Sequence, residues 1–190
     1  MMRKTTFLAF LLGGLAALAL AGGAIAHDDH GTAAAEKKAP SFTAKGNDGK
    51  SHDLAALTSD GPVLFYFIKD LCPVNEPIVK YMSRLAKAYD GKAKVVGVFG
   101  SDSSALAKFQ ERHAVPFLVL FDAEKSIIKS FKIGKSPESV LVSKDGRVLH
   151  HWKGVSAGFL KEMGGLMAAE IQAEPVAFDM DGAPSAPRQG

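Results

Sequence analysis

The sequence predicts an α/β domain: a central mixed sheet flanked by helices, with an N-terminal β-hairpin. Three observations predict it. Unbroken apolar runs at Val63–Ile68, Val95–Phe99 and Phe117–Phe121 read as strands covered on both faces. Segments of helical periodicity alternate with them, and such alternation calls for parallel strands joined by right-handed crossovers. Two later runs, Ser139–Val142 and Arg147–His151, are joined by Lys144-Asp145-Gly146, a hairpin signal that adds an antiparallel edge.

The chain begins with Arg3 and Lys4, then an apolar core from Phe7 to Leu20, then the small-x-small pattern Ala24-Ile25-Ala26. Residues 1–26 therefore read as a secretory signal peptide. Its apolar core is short for a membrane span, so no stable membrane insertion is expected after cleavage. Residues 27–39 are polar and Ala-rich and read as a flexible leader; His27-Asp28-Asp29-His30 within it reads as solvated, not as a metal site. Residues 40–173 form the expected domain, and residues 174–190, with Pro175, Pro184 and Pro187, read as a disordered tail.

Within the domain, Ser41–Lys45 and Lys50–Asp53 flank the turn signal Asn47-Asp48-Gly49 and give the N-terminal hairpin. Leu54–Leu57 makes one helical turn. After Val63–Ile68, the positions Ile78, Val79, Met82, Leu85, Ala86 and Tyr89 fall on one helical face, stopped by Gly91. Pro77 removes one backbone donor early in that helix. Ser101 or Asp102 caps a helix running to about His113, with Leu106 and Phe109 inward. Ala123–Lys132 is a short helical or irregular connection. Ser156 caps a last helix to about Ala173, whose Met163 and Met167 fill the core.

Charge narrows the partners. The full chain carries +3, and loss of Arg3 and Lys4 with the signal leaves about +1, which is no footprint for nucleic acid. Export, to a periplasm or the extracellular space, implies an oxidising environment. The chain holds one cysteine, Cys72, so no intrachain disulfide forms. Its thiol stays free, pairs with another molecule or is oxidised stepwise. Cys72 follows the first apolar run through Lys69-Asp70-Leu71 and precedes Pro73, a residue suited to the first position of a helix. Free N–H groups and the positive dipole end favour thiolate there, and thiolate is the nucleophile.

The order of elements, with Cys-Pro opening the first main helix, resembles the thioredoxin fold. More closely, the chain resembles the alkyl hydroperoxide reductase/thiol-specific antioxidant redoxins over roughly residues 40–172. Phe65-Tyr66-Phe67 leading to Leu71-Cys72-Pro73-Val74-Asn75-Glu76 is similar to the family's aromatic strand and active-site turn. Phe117–Asp122 and Gly134-Lys135-Ser136-Pro137-Glu138-Ser139-Val140-Leu141-Val142 match its later strands. The resemblance implies a cis proline at Pro137 facing Cys72, with the backbone beside it pairing to substrate. It thus implies Cys72 as catalytic residue, Pro73, Ser136 and Pro137 at the substrate, Lys69 as electrostatic support, and neither cofactor nor metal.

The departures matter equally. Thioredoxins carry Cys-x-x-Cys, and the second place here is Asn75. No resolving thiol exists within the chain, so an external thiol reductant is required. Typical peroxiredoxins carry Pro-x-x-x-Thr-x-x-Cys; Phe65 and Lys69 fill the Pro and Thr places, and Glu138 follows Pro137 where no arginine match is found. The expected activity is an exported thiol-dependent oxidoreductase in which Cys72 reduces peroxide or exchanges with protein disulfides. A second reading is a non-enzymatic binding module that keeps the fold. A third, weaker one is copper handling. Copper-delivery relatives of the fold pair two cysteines with a distant histidine, whereas His150 and His151 here are adjacent on a strand and point to opposite faces. His52 and His113 read as surface or cap residues.

Overall fold

The computed structural model describes Gly31–Thr32 and residues 37–190; the expected signal peptide and most of the leader lie outside the described residues. In chain order the elements are β1 (Gly31–Thr32), β2 (Thr43–Lys45), β3 (Ser51–Asp53), α1 (Leu54–Thr58), β4 (Val63–Ile68), α2 (Val79–Ala88), β5 (Lys94–Phe99), α3 (Ser103–His113), β6 (Val119–Phe121), α4 (Ser126–Ser130), β7 (Glu138–Val142), β8 (Val148–Lys153) and α5 (Ala157–Glu170). One sheet runs β1-β8-β7-β4-β5-β6, and β2 and β3 form the N-terminal hairpin. The strands β4, β5 and β6 are parallel, and β7, β8 and β1 continue the sheet antiparallel. This is the mixed sheet expected from the residues, in the thioredoxin-like arrangement that the resemblance implied.

Strand β4 divides the interior in two. Leu64, Tyr66 and Ile68 enter a core with Met82 and Leu85 of α2 and Leu160 and Met163 of α5. Val63, Phe65 and Phe67 enter a second core with Leu57 of α1, Ile127 of α4 and Phe131. The period-two alternation of strand side chains therefore feeds both layers, which is why the run contains no polar residue. The hairpin turn covers the outer edge of β6: Asn47 N–H donates to the Val119 carbonyl (2.9 Å) and Asn47 Oδ1 accepts from Val119 N–H (3.1 Å). An uncovered edge would leave those backbone groups open to other chains.

Caps follow the sequence where a short polar side chain precedes a helix. Asp102 Oδ1 accepts from Ser104 and Ala105 N–H (2.9 Å each), and Ser156 Oγ accepts from Phe159 N–H (3.2 Å). Several segments depart from expectation. The helix expected to open at Cys72-Pro73 is regular only from Val79. Before it lie successive turns: Asn75 and Glu76 N–H both donate to the Cys72 carbonyl (2.9 and 3.2 Å), and Ile78 and Val79 N–H both donate to that of Asn75 (2.9 and 3.2 Å). Pro77 has no N–H to continue the ladder, so the first turn and the helix proper are separate pieces. The third strand covers only Val119–Phe121 rather than Phe117–Phe121, because β5 pairs with those three residues alone.

Residues 174–190, read from composition as a disordered tail, lie along the domain. The Tyr89 hydroxyl accepts from Val176 N–H (3.1 Å), that of Tyr81 donates to the Asp181 carbonyl (2.9 Å), and Arg84 pairs with Asp179 (3.0 Å). The partners on the folded domain are two tyrosine hydroxyls and a guanidinium, which the tail's composition does not report.

Asp122 is buried at the end of β6. Its Oδ1 accepts from Ser126 N–H (2.8 Å) and its Oδ2 from Ile128 N–H (2.9 Å), so it stands in for a cap that α4 lacks. Asp122→Ala is expected to cost about 1–3 kcal/mol of stability, since it removes a charged acceptor from the part-buried N–H groups of Ser126 and Ile128. Asp122→Asn, which keeps one acceptor, should cost less. Urea denaturation of the three proteins checks the order.

Candidate active site

The C-terminal end of β4 delivers the loop Lys69-Asp70-Leu71-Cys72. Leu71 sits at φ 52° and is 72% exposed, a strained backbone and an apolar side chain held in water beside the thiol. Asp70 holds this loop: its Oδ1 accepts from Leu71 N–H (3.0 Å) and from Arg112 Nη2 (2.9 Å). Arg112 also lies 3.7 Å from Glu76, and His113 Nε2 lies 2.6 Å from the same carboxylate. The end of α3 is thus fastened to the Cys72 turn. Asp70, Arg112 and Glu76 were not among the sequence candidates; Arg112 is 42 positions from Asp70, and only the passage of the chain through β5 and α3 brings it to the other two.

Cys72 is 5% exposed. Beneath its turn lies a closed polar network centred on Asn75. Tyr66 Oη donates to Asn75 Oδ1 (2.8 Å), and Asn75 Nδ2 donates to Ser136 Oγ (2.6 Å) and to the Lys69 carbonyl (3.2 Å). Ser136 Oγ also accepts from Lys69 N–H (3.1 Å) and donates to the Phe67 carbonyl (3.0 Å). A hydroxyl offers one donor and two acceptor sites, so Ser136 is saturated. Burial pushes the Tyr66 phenol far above its ordinary value, with the charges of Cys72 and Glu76 adding to it, so Tyr66 remains a proton donor. Asn75, noticed in the sequence only for the thiol it lacks, is the hub that ties the Cys72 turn to Ser136.

The Ser136–Pro137 bond is cis, as the resemblance implied. Glu138 follows, buried, with Oε1 accepting from Gly134 N–H (3.2 Å) and Lys135 N–H (2.8 Å) and Oε2 lying 2.6 Å from His151 Nε2. Burial works against the Glu138 charge, but the His151 contact and the two backbone donors outweigh it and hold its carboxyl below the ordinary value. His150, on the other face of β8, stacks on Trp152 (4.3 Å between rings), and burial pushes its imidazole below the usual value. The two histidines therefore serve separate structural contacts. His52 pairs with Asp48 (3.0 Å).

Of the sequence candidates, Cys72 and Ser136 come together at Gly190, Pro137 follows Ser136 through the cis bond, Pro73 is exposed at the start of the turn, and Lys69 enters the network through its backbone. A cavity of about 350 Å³ adjoins Ser136, with Lys69, Lys125 and Lys135 on its lining beside Ile128, Ile133 and Gly190. Gly190 faces the thiol: a β-carbon there would stand 2.7 Å from Cys72 Sγ and 3.5 Å from the Ser136 carbonyl oxygen. Among the described residues, no three His, Cys, Asp or Glu side chains gather as metal ligands.

Known proteins resemble this chain in sequence and in fold. Residues 35–151 match the AhpC/TSA family. The chain is 25% identical over 132 residues to peroxiredoxin Bcp of Bacillus subtilis (strain 168), covering 63% of this chain and 84% of that one. It is 28% identical over 134 residues to the thiol-disulfide oxidoreductase ResA of Bacillus thuringiensis (strain Al Hakam), covering 67% and 77%. Among solved structures, a putative thiol:disulfide interchange protein DsbE from Chlorobium tepidum superposes with a TM-score of 0.66 at 22% identity, covering 72% of this chain and 96% of that one.

The depressed Glu138 carboxyl carries a pH signature. Below the ordinary value of 4.5 the unfolded chain takes up this proton before the native protein does, so stability present at neutral pH is lost as acid passes through the lower native value. Glu138→Gln removes that contribution. The wild type is expected to lose stability more steeply than the variant between about pH 5 and 3, as read from urea midpoints; parallel pH dependences would contradict the assignment.

Proposed function

Because the chain belongs to the AhpC/TSA family, we propose that it is an exported single-thiol redoxin in which Cys72 exchanges with disulfides of extended polypeptides. Export is inferred from the N-terminal signal pattern, and no helix among the described residues is long and apolar enough to cross a membrane. The observation that carries the substrate reading is the backbone of Ser136. Its N–H and C=O both bond to Gly190 (3.5 and 2.6 Å) immediately beside Cys72 Sγ. A groove that pairs with main chain next to a thiol suits a polypeptide better than a peroxide.

In the reaction, Cys72 thiolate attacks one sulfur of the substrate disulfide. The S–S bond breaks, a Cys72–substrate mixed disulfide forms, and the second sulfur leaves as thiolate. With Asn75 in place of a resolving thiol, an external thiol attacks the mixed disulfide. It releases Cys72 as thiolate and departs, oxidised, as a disulfide with the substrate thiol. Leu71 offers an exposed apolar contact at the mouth of the groove, and Lys69 adds positive charge on its rim. Reduction of a peroxide would instead give Cys72 sulfenic acid and an alcohol or water. The Lys69 side chain lacks the hydroxyl that orients peroxide in relatives by resemblance.

The second reading, a binding module that keeps the fold, is favoured by one observation: the 5% exposure of Cys72. Two measurements separate them. Reduced protein incubated with glutathione disulfide should gain a glutathione adduct on Cys72, visible by mass spectrometry and absent in Cys72→Ser; sulfenic acid trapped after hydrogen peroxide should be the lesser product. No adduct, even after shortening the chain behind Pro184 to bare the thiol, leaves the binding module standing. Asn75→Cys places a thiol within the turn closed by the Asn75 N–H to Cys72 carbonyl bond (2.9 Å). It is expected to raise insulin-reducing turnover about tenfold or more while costing about 1–3 kcal/mol of stability for the broken network.

A further inference from the structure

The thiol is hidden by this chain's own tail. From the end of α5, residues 174–190 run back across the domain as a continuous strap. Phe178, Met180 and Ala183 pack against the core on the α2/α5 side. Ala157 N–H donates to the Pro184 carbonyl (2.8 Å). Val155 and Arg188 exchange both backbone hydrogen bonds (3.2 and 3.1 Å), and Gly190 and Ser136 do the same (2.6 and 3.5 Å). Each is the reciprocal pair of an antiparallel bridge, one to the segment after β8 and one to the segment before β7, so the tail's end is bound in the groove through its main chain.

Two glycines are fitted to this path. Gly154, at φ +103°, lies so close that a β-carbon on it would be 2.8 Å from the Arg188 carbonyl oxygen; the site tolerates the strap because no side chain is there. Gly190 meets the sulfur, since a β-carbon on it would be 2.7 Å from Cys72 Sγ and 3.3 Å from Val74 Cγ2. A β-carbon there would require either the Cys72 sulfur or the strap end to shift.

We propose that residues 185–190 occupy the substrate groove as an intramolecular stand-in for an extended polypeptide, and that Cys72 reacts only when this end lifts from Ser136. The proposal rests on the preceding reading of the groove for its meaning, but its geometry is independent of turnover. Residues nearer α5 carry aromatic and methionine contacts, whereas those beyond Pro184 are held by backbone bonds alone and are the part that opens first. An incoming polypeptide offers Ser136 the same main-chain partners, and so competes with the strap. The strap thereby protects an unpaired thiol in an oxidising compartment and yields it to chains that present extended backbone.

The test uses the second-order rate of Cys72 alkylation by iodoacetamide. Shortening the chain after Pro184 should raise it at least tenfold, with circular dichroism and urea midpoint close to those of the wild type, and Gly190→Ala should raise it by a smaller factor. Equal rates for the wild type and the shortened chain would overturn the proposal. A proximity trap guards against a rise caused by loosening of the whole domain. Gly190→Cys, oxidised with diamide, should lose one hydrogen from each thiol and close an intrachain disulfide to Cys72. Intermolecular dimers in its place would mean that the strap end is elsewhere. Faster alkylation without any glutathione adduct would reject the exchange activity and keep the strap. Adduct formation unaffected by shortening would reject the strap and keep the activity.

Discussion

The structure depends on a strand that water does not touch on either side. All six residues of β4 are buried, and their side chains alternate between two cores, as those of β5, β6 and β7 on either side of it also do. Helices α2 and α5 can close one face, and α1 and α4 the other, only because β4 presents apolar groups to both. The same strand fixes the site. Its last residue hands the chain to Lys69, and its neighbour β7 enters the sheet at Glu138, paired with Phe67. The thiol loop and the Ser136–Pro137 loop therefore leave the sheet side by side, from adjacent antiparallel strands.

Between those loops the protein has placed an amide where a second thiol would allow internal resolution. Asn75 uses its carbonyl oxygen and both N–H donors, and Ser136 uses its full hydrogen-bonding capacity. A buried polar network with every member satisfied holds a geometry firmly, while one missing partner makes it costly. The exchange is a chemical one. Internal resolution of a mixed disulfide is given up, and a rigid link between the two sides of the groove is gained.

The fold was legible wherever side chains alone decide it. Val63–Ile68 coincides with β4 to the residue because burial on both faces leaves an unambiguous apolar run. Asp102 and Ser156 were readable as caps because their oxygens act locally. The adjacent histidines take opposite faces, as a period of two requires. The cis bond at Pro137 was legible through the resemblance. Illegible features share one cause: they depend on backbone groups or on distant partners. The late start of α2 follows from the missing N–H of Pro77 and the turns before it. Asn75 and Arg112 acquire their roles from residues dozens of positions away. The tail's prolines announce that it does not fold by itself, but its binding sites are main-chain atoms of Val155, Ala157 and Ser136, which leave no mark in a hydropathy pattern.

The lone tryptophan of the chain, Trp152, is wholly enclosed, with its indole Nε1 donating to Glu162 Oε2 (2.8 Å) and its ring against His150. Emission excited beyond the tyrosine absorption band thus originates at a single place, the seam where the sheet meets its closing helix. The protein carries an optical gauge of that seam's integrity, and any spectral change can be assigned to one side chain without labelling.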